Sequence, residues 1–404
     1  MNSIDIDRVA AWVVEQGLSG TKEQDILAGF CDRCREVGID INRGLAVIDT
    51  LHPIYEGRAF RWRGDGVAED TVVDYGPTTS GAAEAEWQST VFYHLLTNGG
   101  IELRRNIGNG DRTDFKFLEK IKGEGETDFL AFLHRFSGAG TIGEMDCCYS
   151  HWTSRSGEGF SEANVAALRR LVPSLALAIK CGTLARIAST LVGVYLGDDA
   201  GQRVLSGRIS RGVTDKISAV LWFSDLRGYT TITDTAAPDE IIPFLNDYAD
   251  AVISAVRNAG GDVLKLIGDG TLAIFKADDP ADACRAALAA EAQLRQRLLT
   301  LNAAREVEGR PTTSIYLGLH IGEVFYGNIG SADRLDFTVV GPAVNEVSRI
   351  ASMCRSVDRH VIMSSDFVAS TPEAERQNLV SVGRFALRGV RRARELFTID
   401  PALL

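Results

Sequence analysis

Two short apolar runs that each end at an aspartate constrain this chain more than any other feature. Ala219–Phe223 leads into Ser224-Asp225-Leu226-Arg227-Gly228, and Val263–Ile267 leads into Gly268-Asp269-Gly270, 44 positions further on. Each run reads as a buried strand that stops where its carboxylate can face solvent, with glycine following so that the backbone can turn. The second run is followed at once by Thr271–Lys276, so the chain must fold back on itself at Asp269 as a hairpin.

From Ile217 the pattern predicts a strand to Ser224, a helix over Pro238–Ala259, strands over Asp262–Ile267 and Thr271–Lys276, a helix over Pro280–Asn302 and a strand over Ile315–Ile321. That order is βαββαβ, the split arrangement of a ferredoxin-like fold. It lays the hairpin tip beside the end of the first strand and so brings Asp225 and Asp269 together. Carboxylate oxygens on rigid strand ends suit Mg²⁺ or Mn²⁺, which take hard oxygen ligands and leave positions open for phosphates. The implied substrate is a nucleoside triphosphate.

The 404 residues are enough for two domains, and 45% hydrophobic with 24% charged residues is ordinary for globular protein. A net charge of −11 argues against extended contact with nucleic acid or an anionic membrane, because the phosphate field would repel it. The longest apolar helical stretch, Leu171–Leu196, is interrupted by Pro173, Lys180 and Arg186, which predicts no bilayer-spanning run. The start has no basic end or apolar segment of a secretory signal, so a cytoplasmic location is expected. Seven cysteines, an odd number, fit reduced thiols. Cys31 and Cys34 have Cys-x-x-Cys spacing but lie in an amphipathic stretch without a second pair, and read as packing residues.

Residues 1–160 alternate helical and strand patterns and read as one α+β module, with helices flanking an antiparallel sheet. Thr21 and Gln24 have the spacing of a capping box. Strands are expected over Gly44–Thr50, Arg58–Trp62, Phe129–Phe136 and Ile142–Thr153, and helices over Ala83–Leu96 and Phe115–Ile121. Phe160-Ser161 with Val165 has the pattern of a hydrophobic staple opening a long helix, which Pro173 should kink. Residues 161–216 are therefore expected to be a long helix and linker. The helix is either a contact with a second copy of the chain or a core helix of the first domain.

Residues 217–404 resemble the catalytic domain of class III adenylate and guanylate cyclases. The resemblance rests on Phe223-Ser224-Asp225-Leu226-Arg227-Gly228-Tyr229-Thr230, on Lys265-Leu266-Ile267-Gly268-Asp269, on Gly318-Leu319-His320-Ile321-Gly322-Glu323-Val324 with Gly327-Asn328-Ile329-Gly330, and on Asp336 through Arg349. It implies that Asp225 and Asp269 hold two Mg²⁺ or Mn²⁺ ions per active site, that Asn345 orients the ribose, and that Arg349 stabilises the α-phosphate. Asn345 and Arg349, at i and i+4, share one helix face. The family reads its base with the positions of Lys265 and Thr338, and this pair implies adenine, hence ATP and cyclic AMP, in the manner of a bacterial subgroup with threonine at the second position. The family's late phosphate-binding lysine falls near Arg388, with Arg391 and Arg392 close by. Tyr316 stands where many members carry a phosphate-binding arginine. The resemblance further implies a homodimer whose sites combine Asp225 and Asp269 of one chain with Lys265, Thr338, Asn345 and Arg349 of the other. The alternatives are a cyclase acting on GTP or a pyrimidine triphosphate, and a signalling module of the same fold without activity.

The amino-terminal module resembles a GAF-type sensory domain through Gly159-Phe160-Ser161-Glu162-Ala163-Asn164. Its signal is expected to be a small molecule or a protein, left unnamed by the sequence. His52, His94, His134 and His151 share no ligand spacing and read as surface or hydrogen-bonded residues. Cys147-Cys148 reads as packing, and Trp62, Trp87 and Trp152 as lining either a pocket or the core.

Overall fold

The computed structural model describes residues 3–136, 142–143, 145–390 and 392–403. Its chain divides into two compact units, Met1–Leu191 and Val192–Leu404. The division falls inside the segment that the sequence suggested was a connector.

The first unit contains α1 (Ser3–Ser19), α2 (Glu23–Glu36), β1 (Arg43–Asp49), β2 (Gly57–Arg63), β3 (Val72–Tyr75), α3 (Gly81–Gln88), α4 (Val91–Thr97), β4 (Glu102–Arg105), α5 (Lys116–Gly123), β5 (Asp128–Arg135), β6 (Cys147–Ser154) and most of α6 (Glu162–Leu196). Its antiparallel sheet has the order β3-β2-β1-β6-β5-β4. Side-chain alternation assigns the two faces. Ala46, Ile48, Leu130 and Phe132 pack with Val13, Phe30 and Leu171 of α1, α2 and α6, while Leu45, Phe129, Ala131 and Leu133 pack with Phe92 and Leu118 of α4 and α5. Helices thus cover both faces. Cys31 and Cys34 are buried in the first of these cores, as expected of packing residues.

Local details depart from the sequence expectations for identifiable reasons. The expected helix over 83–96 is two helices, because Thr90 Oγ1 accepts from Tyr93 N at 3.1 Å and caps α4. The capping box at Thr21 does not form: the cap residue is Lys22, without a side-chain bond, and Thr21 Oγ1 donates to Gln16 Oε1 instead. The strand expected from Ile142 starts at Cys147; Glu144 lies outside the described residues. At the start of α6, Ser161 Oγ accepts from Asn164 N at 3.1 Å while Asn164 Oδ1 accepts from Ser161 N, with Phe160 and Val165 buried together as the staple pattern required. The helix is continuous across Pro173 and buries Leu168, Leu171, Leu175, Ile179 and Ile187 in the first unit's core. Such packing is what the core-helix alternative expects of these residues. By length and composition α6 does qualify as a helix able to cross a membrane, contrary to the sequence expectation.

The second unit contains α7 (Asp198–Leu205), β7 (Thr214–Leu226), α8 (Tyr229–Thr235), α9 (Pro238–Asn258), β8 (Asp262–Ile267), β9 (Gly270–Phe275), α10 (Pro280–Val307), β10 (Ile315–Gly330), β11 (Leu335–Val340), α11 (Pro342–Val357), β12 (Val361–Ser364), α12 (Ser365–Ser370), β13 (Leu379–Phe385) and β14 (Arg394–Ile399). The sheet runs β13-β14-β12-β10-β7-β9-β8, with β11 paired to the far half of β10. The segment β10-β7-β9-β8 is the arrangement that βαββαβ demands. Alternate residues of β7 again assign the faces. Val220 and Trp222 pack with Phe244, Tyr248 and Ala287 of α9 and α10; Ala219 and Leu221 pack with Ala343 and Val347 of α11. The sheet therefore separates α9 and α10 from α11.

Candidate active site

Asp225 lies at the carboxyl end of β7, one residue past the Ser224–Thr271 pair that joins β7 to β9. Asp269 sits in the β8–β9 turn, which Gly268 makes possible by adopting φ +62°. Both residues line a cavity of about 180 Å³ walled also by Leu245, Asn246 and Tyr248 of α9. Partial burial, followed by the neighbouring Asp269 carboxylate, pushes Asp225 up to about 6. Like charges brought this close favour a proton or a cation between them, so the donor set fits a hard divalent ion. Among the described residues no third His, Cys, Asp or Glu joins them as a ligand cluster.

The other predicted residues lie elsewhere. Lys265, on β8, forms an ion pair through Nζ with Asp336 Oδ2 of β11. Thr338 is two residues further along β11, buried opposite Gly327, and so shares a face with Asp336. The structure thus gathers Lys265, Asp336 and Thr338 at one place. Asp336 had no role in the sequence reading; the period of two along the strand was the signal that could have found it.

Asn345 and Arg349 project from α11, which rests on β10 at Gly318. A Cβ at Gly318 would lie 2.7 Å from both Val347 O and Ala351 N, so only glycine lets the helix approach this closely. Glu346, buried on the same helix, ties it to β14 through an ion pair with Arg394, Oε1 to Nε 3.0 Å. Asn345 is exposed, and the Arg349 guanidinium lies against Gly389, next to exposed Arg388. Among the described residues neither arginine has an ion-pair partner. Arg391, expected near this group, lies outside the described residues.

None of Lys265, Thr338, Asn345, Arg349 and Arg388 lines the cavity that holds Asp225 and Asp269. Within one chain there are two half-sites: an acidic pair at the end of β7 and the β8–β9 turn, and a group of Lys265, Thr338, Asn345, Arg349 and Arg388 spread over β8, β11, α11 and the loop at Arg388. Tyr316 pairs with Asp225 across β10 and β7. The Arg227 guanidinium lies over its ring, 5.8 Å from the centroid, so a cation does stand beside the position where the sequence lacks one.

The adenylate and guanylate cyclase catalytic domain family matches residues 213–400. A protein named adenylate cyclase from Anabaena cylindrica is 34% identical over 178 residues, a match covering 43% of this chain and 35% of that one. The chain therefore spans about a third of the length of that curated relative. Among solved structures, the adenylyl cyclase CyaB from P. aeruginosa aligns with a TM-score of 0.42 at 21% identity, covering 46% of this chain and 95% of that one. The guanylyl cyclase Cya2 aligns with a TM-score of 0.41 at 26% identity, covering 46% and 93%. Residues 213–400 of this chain belong to the adenylate and guanylate cyclase catalytic domain family.

Proposed function

We propose that this protein is an adenylate cyclase, which converts ATP to 3′,5′-cyclic AMP and pyrophosphate at sites shared by the two chains of a homodimer. The division of the predicted residues into two groups that do not share a cavity within one chain is the observation that carries this reading. A head-to-tail pair of chains would set the acidic half-site of each against the cationic half-site of the other, giving two equivalent sites.

In the reaction the ribose 3′-oxygen forms a bond to the α-phosphorus while the bond from that phosphorus to the β-phosphate oxygen breaks, and the hydroxyl proton leaves. Class III cyclase domains generally depend on Mg²⁺ or Mn²⁺. Asp225 and Asp269 would hold two such ions, which when bound supply a more acidic 3′-hydroxyl and charge compensation for the triphosphate. Lys265 donates to adenine N1, for which an ammonium has only donors to offer, and Thr338 accepts from the exocyclic amine. Asp336 holds the Lys265 ammonium in place between turnovers. Asn345 orients the ribose. Arg349 meets the charge that grows on the α-phosphate, and Arg388 takes the departing pyrophosphate, as guanidinium forks suit phosphate.

The first unit acts in this proposal as a GAF-like regulatory domain, with α6, continuous from Glu162 to Leu196, as the transmitting element. A cytoplasmic location belongs to the same proposal and is supported by seven free cysteines. The test is incubation of the purified protein with each of the four ribonucleoside triphosphates, in Mg²⁺ and in Mn²⁺, with identification of products. Cyclic AMP as the main product, lost in Asp225→Ala, is expected. No cyclic nucleotide under any condition overturns the enzyme reading, and a preference for GTP overturns the base assignment.

A further inference from the structure

Helices α4 and α5 leave part of the first unit's sheet uncovered, and a cavity of about 860 Å³ opens there between the strands and α3, α4 and α5. That volume suits a small organic molecule. Three rings, Phe92, Phe117 and Phe129, surround His151, with centroids 6.1, 4.9 and 5.3 Å from its imidazole. The His151 nitrogens make no hydrogen bond with the described residues, and the ring lines the cavity. Burial, then the charges of Arg43 and Arg61, hold its pKa down to about 3. It is therefore a neutral imidazole at ordinary pH, with one donor and one acceptor to offer.

The cavity lining carries five cationic side chains against two carboxylates, in a chain whose net charge is −11. Of the cations that line this cavity, Arg43 pairs with Glu124 and Glu126, Arg61 with Glu69 and Arg63 with Asp65, which leaves two lysines. Lys116 and Lys120, one turn apart on α5, stand at its edge, and neither side-chain amine forms an ion pair or hydrogen bond with any described residue. The adjoining cavity, of about 940 Å³, is instead edged by Asp49, Glu56, Glu84 and Asp146, so an anion is directed to the first. Flat rings are the shape that stacks among phenylalanines and an imidazole, and unpaired lysines are what a carboxylate, sulfonate or phosphate seeks.

We propose that this cavity is the binding site of the amino-terminal unit for a flat aromatic anion, with its rings among Phe92, Phe117, Phe129 and His151 and its charged group at Lys116 and Lys120. The site stands apart from the cyclase domain and does not depend on the substrate assigned to it.

The experiment compares two fluorescent probes on the full chain: 1-anilinonaphthalene-8-sulfonate, and N-phenyl-1-naphthylamine, which has the same rings without the sulfonate. The sulfonate is expected to saturate one site per chain and to bind about tenfold more tightly than the neutral probe. Lys116→Glu with Lys120→Glu should abolish that preference while leaving the neutral probe's affinity unchanged. Ala85→Trp, which places an indole in the cavity mouth, should weaken both probes. All three positions are exposed in the folded chain, so the variants should fold. Equal affinity for the two probes in the parent protein, a preference that survives the double charge reversal, or binding of both probes unaffected by Ala85→Trp overturns the proposal.

Discussion

Replacing Gly318 with alanine should damage the cationic half-site without touching any residue in it. A methyl there would lie 2.7 Å from Val347 O and Ala351 N and 3.0 Å from Ala351 Cα, and all three are backbone atoms that no rotamer change can move. Helix α11 must therefore shift off β10, at an overpacking cost of about 1–3 kcal/mol. For a domain of this size each kcal/mol moves the melting temperature by about 2–4 °C, so a fall of about 2–12 °C is expected in the second unit's transition. Asn345 and Arg349 ride on the helix. A displacement approaching 1 Å at a group that must meet the reacting phosphate costs on the order of 10- to 100-fold in kcat. Calorimetry and turnover on the same preparation provide the assay, with Gly157→Ala as control because a methyl there meets nothing within 4 Å. An unchanged melting temperature together with unchanged turnover in Gly318→Ala would refute the packing argument.

Two further expectations follow from individual side chains. Lys265→Ala removes a charged donor from the proposed adenine contact and should raise KM for ATP roughly tenfold or more while narrowing the preference over GTP; an unchanged ATP-to-GTP ratio speaks against the base assignment. His151 is neutral in the fold with its pKa held down to about 3, so the unfolded chain takes the proton first as pH falls below about 6.5. Stability from this group is present above that pH and drains away below it, by about 1–2 kcal/mol between pH 7 and pH 5. His151→Phe should flatten urea-midpoint profiles over that interval, and an equal slope in both proteins would contradict the buried-neutral description.

The catalytic half was legible because its apolar runs are short, bounded by glycine and spaced as βαββαβ. The Asp225–Asp269 approach follows from strand order alone. Strand β10 was expected to end at Ile321 but continues to Gly330, because its far half is held by β7 on one side and β11 on the other, a tertiary register that local pattern does not contain. The same cause hid the Lys265–Asp336 ion pair, whose members are brought together only when β11 returns beside β8. Helices α1, α7, α8 and α12 and strands β3, β4, β12, β13 and β14 had no counterpart in the sequence reading. Strands β3 and β4 have four residues each, too short for alternation to show. In the amino-terminal unit the histidines could not be ranked by spacing. His52 Nδ1 accepts from the Ile54 and Tyr55 amides in a local turn, whereas His151 lines a cavity, and only the folded sheet distinguishes them.

The most direct test of a site shared between chains is complementation. Asp225→Ala and Arg349→Ala, each inactive alone, are mixed in equal amounts under conditions that let subunits exchange, and cyclic AMP formation is measured. Random pairing makes half the dimers mixed, each with one intact site of two, so activity should recover to about one quarter of the parent protein's. Activity that stays at the sum of the two separate variants, despite demonstrated exchange, would contradict the account.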